Sequence, residues 1–201
     1  MEIRKFDLTI HDIDRITDLI LSADAEAAKS GRSPGPAKTV RGLIKAGNNF
    51  LGHENIYVSV SEEGITGLMI GYTGKGKREF KTLLKLLFTL RLSEFASYMT
   101  LTSNILHGAY TPDVEEDEFY VSVLAVDEKH RGKGIGSLLL RKAVNTAKKR
   151  NCKSVLLDVN GNNESALALY GKFGFRLRGR NPALNPSTEH PEMLTMELAL
   201  T

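Results

Sequence analysis

The sequence predicts an α/β protein in which a central sheet is flanked by helices. Two patterns support this prediction. Short segments of alternating or β-branched apolar residues indicate strands, and apolar residues at three- and four-residue spacing between them indicate helices. With 201 residues, of which 41% are hydrophobic and 25% charged, the chain has the size and balance of one globular domain with its own core. We therefore expect a single domain over residues 1–201.

The N-terminal segment predicts a strand and then a helix. Residues Ile3 to Phe6 indicate a short strand. Thr9, with Asp12 three residues later, resembles a capping box, in which side chains satisfy the free amides of a helix start. The helix should bury the residues that recur at helical spacing, which are Ile13, Ile16, Leu19 and Ile20.

A second helix and a hairpin follow. Pro36 suits the first turn of a helix, because an amide there has no helical acceptor, and Gly47 marks the helix end. Residues 55–61 alternate between apolar and polar side chains, Glu62-Glu63-Gly64 make a turn, and residues 65–72 return. This alternation predicts an antiparallel hairpin.

A helical insertion is predicted at about 72–117. Apolar residues recur at helical spacing, with lysines between them, from Lys77 to Leu92, and a weaker helical pattern covers residues 94–106. An acidic run then begins at Asp113 and indicates a loop. The basic stretch 77–92 would also suit a peripheral membrane protein or a partner-binding protein, which is one alternative for the function.

The second half alternates strands with helices. Strands are expected over 119–126, 154–159, 175–178 and 193–198, and helices over 136–150 and 164–173. The first of these strands, a glycine-rich turn and the first helix follow one another without a gap.

This turn, Arg131-Gly132-Lys133-Gly134-Ile135-Gly136, has the features of a phosphate-binding site. Glycines let the backbone approach a ligand, the first amides of a helix have no partner inside it, and the helix dipole favours negative charge there. Arg131 and Lys133 add positive charge. The turn lacks the Gly-Lys-Ser/Thr ending of a nucleotide triphosphatase loop, and a tight turn without a ligand is the alternative.

Two motifs resemble the GNAT superfamily of N-acetyltransferases. The pyrophosphate loop of that family reads Arg/Gln-x-x-Gly-x-Gly/Ala, which matches Arg131, Gly134 and Gly136. Family members often continue with Asn, a helix, Leu-Tyr and Gly-Phe, and residues 163–175 reproduce that order and spacing. The resemblance is specific over about 118–175, whereas the predicted insertion departs from the more direct connection found in most members.

The resemblance implies a mixed, mostly antiparallel sheet that is splayed where residues 124–126 diverge from residues 156–159. Acetyl-CoA would be the co-substrate, with its pantetheine arm along 124–126 and a nearby backbone amide polarising the thioester carbonyl. The residues implied to bind acetyl-CoA are Leu124, Ala125, Val126, Arg131, Gly132, Lys133, Gly134, Ile135, Gly136, Ser137, Asn163 and Tyr170.

Two residues are candidates for catalysis. The resemblance implies that Tyr170 is the general acid toward the departing thiolate, and a phenol of pKa about 10 suits that task. An aromatic on a buried helix face is the alternative for Tyr170, and a simple helix N-cap is the alternative for Asn163. Glu118 is the candidate general base, because it begins the strand that leads to the cofactor. A solvated charge at a strand end is an equally weighted alternative for Glu118.

Composition and charge limit the classes of partner that the protein is expected to bind. A formal net charge of +3, without a basic run interleaved with aromatics, gives little support to nucleic-acid binding. No apolar stretch is long enough to span a membrane, and the N-terminus lacks the pattern of a secretory signal, so we expect a cytoplasmic location. Cys152 is the only cysteine, and no histidine has a partner at ligand spacing, so no metal is expected. The sequence leaves the oligomeric state undecided, and a homodimer is one alternative.

The acceptor is expected to be a primary amine, on a small molecule or a peptide, that attacks the thioester directly. The acidic residues 113–118 would attract a cationic amine if they lie at the mouth of the site. A solvated acidic loop without this role is an equally weighted alternative. A non-catalytic acyl-CoA sensor of the same fold is the other reading of the motifs.

Overall fold

The structure, a computed structural model, describes residues 1–23, 34–74, 114–181 and 192–200. Strands in these ranges are β1 (Glu2–Lys5), β2 (Ile56–Ser61), β3 (Gly64–Thr73), β4 (Glu118–Val126), β5 (Ser154–Asn160), β6 (Arg176–Asn181) and β7 (Met193–Ala199). The α-helices in them are α1 (Ile13–Ala23), α2 (Pro34–Ala46), α3 (Ile135–Lys149) and α4 (Glu164–Phe173). Each strand and helix predicted within these ranges is present, with small shifts of its ends. The helices predicted over 77–92 and 94–106 lie outside the described residues, as does most of the predicted insertion.

The seven strands form one sheet in the order β1-β2-β3-β4-β5-β7-β6. All neighbours pair antiparallel except β4 and β5, which are parallel. A parallel pair needs a crossover connection, and α3 supplies it between β4 and β5. The predicted mixed, mostly antiparallel sheet is therefore confirmed.

Helices cover both faces of the sheet. One core lies against α1 and α2 and contains Val58 and Ile70. The other lies against α3 and α4 and contains Tyr57 and Val155. Because the central strands are covered on both sides, Tyr57 and the polar Ser59 are as buried as the apolar residues that alternate with them. The alternation correctly predicted the hairpin, but it did not reveal the second helical layer.

The first helix begins after Asp12 rather than at Thr9. The amide and the hydroxyl of Thr9 both donate to the Asp7 carboxylate, at 2.8 and 2.6 Å, which closes a turn ahead of the helix. The Asp12 carboxylate accepts the amide of Asp14 at 2.8 Å and so caps the helix start. The predicted capping box is wrong because the nearer Asp7 takes the Thr9 hydroxyl.

Gly71 of β3 lies against the ring of Phe119, which is completely buried. A Cβ at Gly71 would be 2.6 Å from Cε1 and 2.7 Å from Cζ of that ring. Gly71→Ala should therefore lower the free energy of unfolding by about 1–3 kcal/mol, because the core must shift to admit a methyl group. Urea unfolding measures this. The matched control is Gly179→Ala on β6, where no heavy atom lies within 4 Å of the added Cβ. Equal losses in the two variants would contradict the packing argument.

Candidate active site

The sheet opens between β4 and β5. The parallel pairing joins Glu118–Val121 to Ser154–Leu157 and stops there, although β4 continues to Val126 and β5 to Asn160. The predicted splay is thus confirmed, and it begins after Leu157 rather than at Leu156. Beyond this point, the edge of β4 that faces β5 offers backbone N–H and C=O groups to an extended ligand, which could bond to it as an added strand does.

A β-bulge in β4 coincides with this opening. Ile70 pairs with Val123 and Gly71 pairs with Val121, so Ser122 is an extra residue that the backbone register leaves unpaired with β3. A bulge bends its strand and increases the local twist. Since Ser122 directly follows the last residue of β4 that pairs with β5, the bulge turns β4 away at the place where the strands separate.

The predicted cofactor residues of β4 follow the bulge. Leu124 and Val126 direct partly buried side chains toward the core of α3 and α4, and Ala125 is buried in the core of α1 and α2. Their side chains are therefore occupied in packing, and the backbone of 124–126 is what this strand can present to a ligand.

The glycine-rich loop leads from β4 into α3. Gly132 and Gly134 have φ angles of +76° and +81°, a conformation that costs little only for glycine. The first amide of α3 with an acceptor is that of Leu138, which donates to the carbonyl of Gly134 at 3.1 Å, and no side chain caps the helix. The amides of residues 135–137 therefore have no acceptor in the described chain and point out of the helix start. With the helix dipole, this arrangement is favourable for an anion.

An ionic network fixes the loop to the rest of the domain. Asp127 binds Arg15 of α1 at 2.9 Å and Nδ1 of His130 at 2.7 Å, and Nε2 of His130 lies 3.1 Å from the carboxylate of Glu63. The hydrogen bond from His130, followed by that from Arg15, lowers the pKa of Asp127. The sequence gives no indication of this role for His130, because Glu63 lies 67 residues away. The exposed Arg131 and Lys133 leave the loop surface positive.

The helix α4, which follows the open end of β5, carries two of the predicted residues. The Asn163 side chain accepts the amide of Ala166 at 3.1 Å, so Asn163 is the N-cap of α4. Tyr170 is buried, with its ring centroid 5.9 Å from that of Phe175, and burial raises the pKa of its hydroxyl to about 12. The phenol is therefore protonated at neutral pH.

Glu118 lies at the other end of β4, where the sheet is closed. Its carboxylate accepts from Arg178 at 2.6 Å and from the amide of Glu115 at 2.8 Å, and it is almost completely buried. These bonds support a structural role, joining β4 to β6. Its role as general base stays a prediction.

The acidic run is partly neutralised by ion pairs. Glu115 and Asp117 both form ion pairs with Lys153, which precedes β5, and Asp113 lies outside the described residues. The run lies at the closed end of the β4–β5 pair, so the described part of it does not form a negative mouth at the opening.

Asp158 stands at the opening, and the sequence prediction missed it. It is half-buried on β5, and its carboxylate accepts from the hydroxyls of Tyr120, at 2.7 Å, and Thr195, at 2.6 Å. Burial raises the pKa of Asp158, although the two hydrogen bonds oppose this. An aspartate inside the apolar run 155–159 is the signal that could have indicated it.

The described residues contain neither a cluster of metal ligands nor a membrane-spanning helix. In those ranges, no three His, Cys, Asp or Glu side chains come together as ligands for a metal ion. The helices found there are too short or too polar to cross a membrane.

Several known proteins with related sequences are acetyltransferases. The model of the acetyltransferase (GNAT) family matches residues 94–175, which include the opening, the loop and α4. N-alpha-acetyltransferase 30 of Xenopus laevis is 45% identical over 56 residues, which cover 28% of this chain and 20% of that protein. Spermine/spermidine N(1)-acetyltransferase of Bacillus subtilis is 31% identical over 75 residues, covering 37% of this chain and 49% of that protein. The matches thus span less than half the length of either curated relative.

Solved structures with a similar fold also include an acetyltransferase. The crystal structure of an N-acetyltransferase from Staphylococcus aureus Mu50 shares the fold with a TM-score of 0.74 and 21% identity, over 98% of this chain and 100% of that chain. Residues 94–175 thus match the acetyltransferase (GNAT) family, and the fold, with its split sheet, is similar to that of a solved N-acetyltransferase.

Proposed function

We propose that the protein is an N-acetyltransferase that moves an acetyl group from acetyl-CoA to a primary amine by direct attack. One observation carries the proposal: the gap between β4 and β5 runs into the uncapped start of α3. CoA joins an extended arm that bears amides to a pyrophosphate. Such a ligand fits a strand edge that is followed by an anion site.

Each part of the site has a task in this function. The amides of residues 135–137, together with Arg131 and Lys133, bind the pyrophosphate. The free edge of β4 over residues 124–126 bonds the pantetheine arm, which directs the thioester toward the bulge at Ser122. An amide of β4 near the bulge donates to the carbonyl oxygen and stabilises the oxyanion that forms when the amine attacks.

Tyr170 assists the departure of the thiolate. The amine nitrogen forms a bond to the carbonyl carbon, the carbon–sulfur bond breaks, and the sulfur leaves with the bonding electrons. Because burial holds the pKa of Tyr170 at about 12, the phenol keeps its proton at neutral pH and can donate it to the sulfur as negative charge develops there. Asn163 orders the N-terminus of α4, which carries Tyr170.

The acceptor is an aliphatic primary amine. By name, one relative is an N-alpha-acetyltransferase and the other a spermine/spermidine acetyltransferase. An α-amino group and a polyamine are both amines that are cationic in water. This shared chemistry is the substrate class that we assign to the protein.

The anion site can be tested at Gly134. Gly134→Glu should reduce acetyl-CoA binding, measured by calorimetry, by at least about a hundredfold, because a carboxylate would occupy the position of the pyrophosphate. Gly134→Ala is the matched control: it carries the same strain from a positive φ angle, and its Cβ meets no atom within 4 Å. The alanine variant should stay within about tenfold of wild type. Tight binding by a folded glutamate variant would refute the site.

Tyr170→Phe tests the general acid, since it keeps the ring and removes the proton. Turnover with acetyl-CoA and an amine should fall by roughly ten- to a thousandfold, with little change in acetyl-CoA affinity. Thiol release measures turnover, and calorimetry measures affinity. A variant that turns over at the wild-type rate would remove Tyr170 from the mechanism.

A further inference from the structure

His130 lies between two carboxylates, one from its own turn and one from the hairpin of β2 and β3. Its Nδ1 is 2.7 Å from the Asp127 carboxylate, and its Nε2 is 3.1 Å from the Glu63 carboxylate. The side chain of His130 is mostly buried, with 12% of it exposed. His130 directly precedes Arg131, where the glycine-rich turn begins. The ring therefore fixes the entry to the anion site from two sides.

The two contacts depend on how many protons the ring carries. A neutral imidazole has one N–H donor and one nitrogen acceptor, whereas an imidazolium has two donors. The hydrogen bond from His130, followed by that from Arg15, lowers the pKa of Asp127 and keeps this carboxyl ionised. Glu63 is exposed, and an exposed carboxyl is ionised at neutral pH. In a neutral ring, one nitrogen lone pair would face a carboxylate oxygen, so only the imidazolium makes both bonds.

The charges around His130 also favour the imidazolium. Arg15 of α1 contributes a guanidinium that is 2.9 Å from Asp127. Arg15 and a protonated His130 together balance the two carboxylates, Asp127 and Glu63. The other charged residues of this stretch are exposed, namely Glu128, Lys129 and Arg131. Loss of the His130 proton leaves the four-residue cluster with one net negative charge, next to a loop whose free amides favour an anion.

We propose that His130 is a positioning residue that, as the imidazolium, holds the loop for the pyrophosphate of acetyl-CoA and so couples the affinity for acetyl-CoA to pH. The proposal rests on the proposed use of acetyl-CoA and deepens it, because it assigns a regulation to the same site. His130 acts through the position of the loop and through its own charge, and not on the reacting atoms.

Acetyl-CoA binding and protonation of His130 favour each other. An anion that binds beside the cluster stabilises the form without net negative charge, which is the protonated one. By linkage, acetyl-CoA then binds more tightly at low pH than at high pH, and binding takes up protons in the range where imidazole titrates, about pH 5–8. A tenfold ratio between the affinities of the two forms corresponds to a maximum uptake of about half a proton.

The test measures binding of acetyl-CoA to the full chain by calorimetry, over about pH 6–8. Each titration is made at constant ionic strength in two phosphate-free buffers of different ionisation enthalpy, because the difference in binding enthalpy gives the number of protons taken up. His130→Gln replaces the ring with a side chain that stays neutral. Glu63→Gln removes the carboxylate that faces Nε2, and Glu62→Gln is its matched control, the same change at an exposed position on the same turn. Protons that acetyl-CoA itself gains or loses are common to all these proteins, so they cancel between them.

The affinity of wild type should exceed that of His130→Gln by roughly five- to tenfold at the low end of this pH range. The difference should nearly vanish at the high end, where the wild-type ring is also neutral. At its maximum, the uptake by wild type should exceed that by His130→Gln by about half a proton. A loss of affinity that is the same at every pH would make His130 a structural contact only and would overturn the coupling.

Glu63→Gln should bind acetyl-CoA with a weaker pH dependence. A neutral Nε2 can accept from the glutamine amide, and the cluster then needs no imidazolium for its charge balance. The difference in uptake from His130→Gln should fall by at least about half, whereas Glu62→Gln should match wild type. An equal effect of the two glutamine variants would assign the result to the charge of the turn and overturn the role of His130.

The glutamate variants keep the test decisive if His130→Gln does not fold, since both positions are exposed. Acetyl-CoA binding with the same uptake in wild type and Glu63→Gln would overturn the coupling and leave the proposed function standing. A wild-type chain that does not bind acetyl-CoA would overturn both.

Discussion

The separation of β4 from β5 is the constraint on which the site depends. It is possible because each strand keeps its other neighbour: β4 is paired with β3 up to Val126, and β5 is paired with β7 up to Asn160. Neither strand frays where the two part, since half of its backbone groups remain bonded and helices cover both faces of the sheet. The remaining backbone groups face the gap, and buried backbone groups need partners. A gap of this kind is therefore a place for water or for a ligand with amides of its own.

The loop after β4 makes the gap suited to a ligand with an anionic group. Its left-handed glycines turn the chain so that α3 starts beside the end of the strand, and the network of Asp127, His130, Arg15 and Glu63 holds that turn against α1 and the β2–β3 hairpin. The anion site is thus preformed by backbone geometry. In the proposed mechanism, the chemistry depends instead on the side chain of Tyr170 from α4, which packing has fixed.

Local patterns were enough to predict most of this architecture. Helical spacing predicted α1 and α3, and the run Arg131 to Gly136 predicted the glycine-rich turn into an uncapped helix, because the glycines and the helix start are adjacent in sequence. The splay was predicted only through the family resemblance, since nothing local to β4 or β5 reveals where two strands stop pairing. The Thr9 cap failed because a nearby competitor, Asp7, also suits the hydroxyl.

Long-range contacts limited the prediction of the site. Glu118 resembles a free carboxylate in sequence, but Arg178, 60 residues later, pairs with it in the fold. Asp158 resembles an interruption of an apolar strand until Tyr120, 38 residues earlier, and Thr195, 37 residues later, come within hydrogen-bonding distance. Charge and burial of such groups follow from tertiary neighbours, which no pattern along the chain encodes.

Backbone amide hydrogen exchange with and without acetyl-CoA tests the central claim most directly. If CoA occupies the gap and the helix start, the amides of residues 122–137 should exchange more slowly in its presence. Those of β6, the edge strand of the sheet, should be unchanged and serve as an internal reference. Protection confined to another part of the chain, or none at saturating acetyl-CoA, would contradict the account.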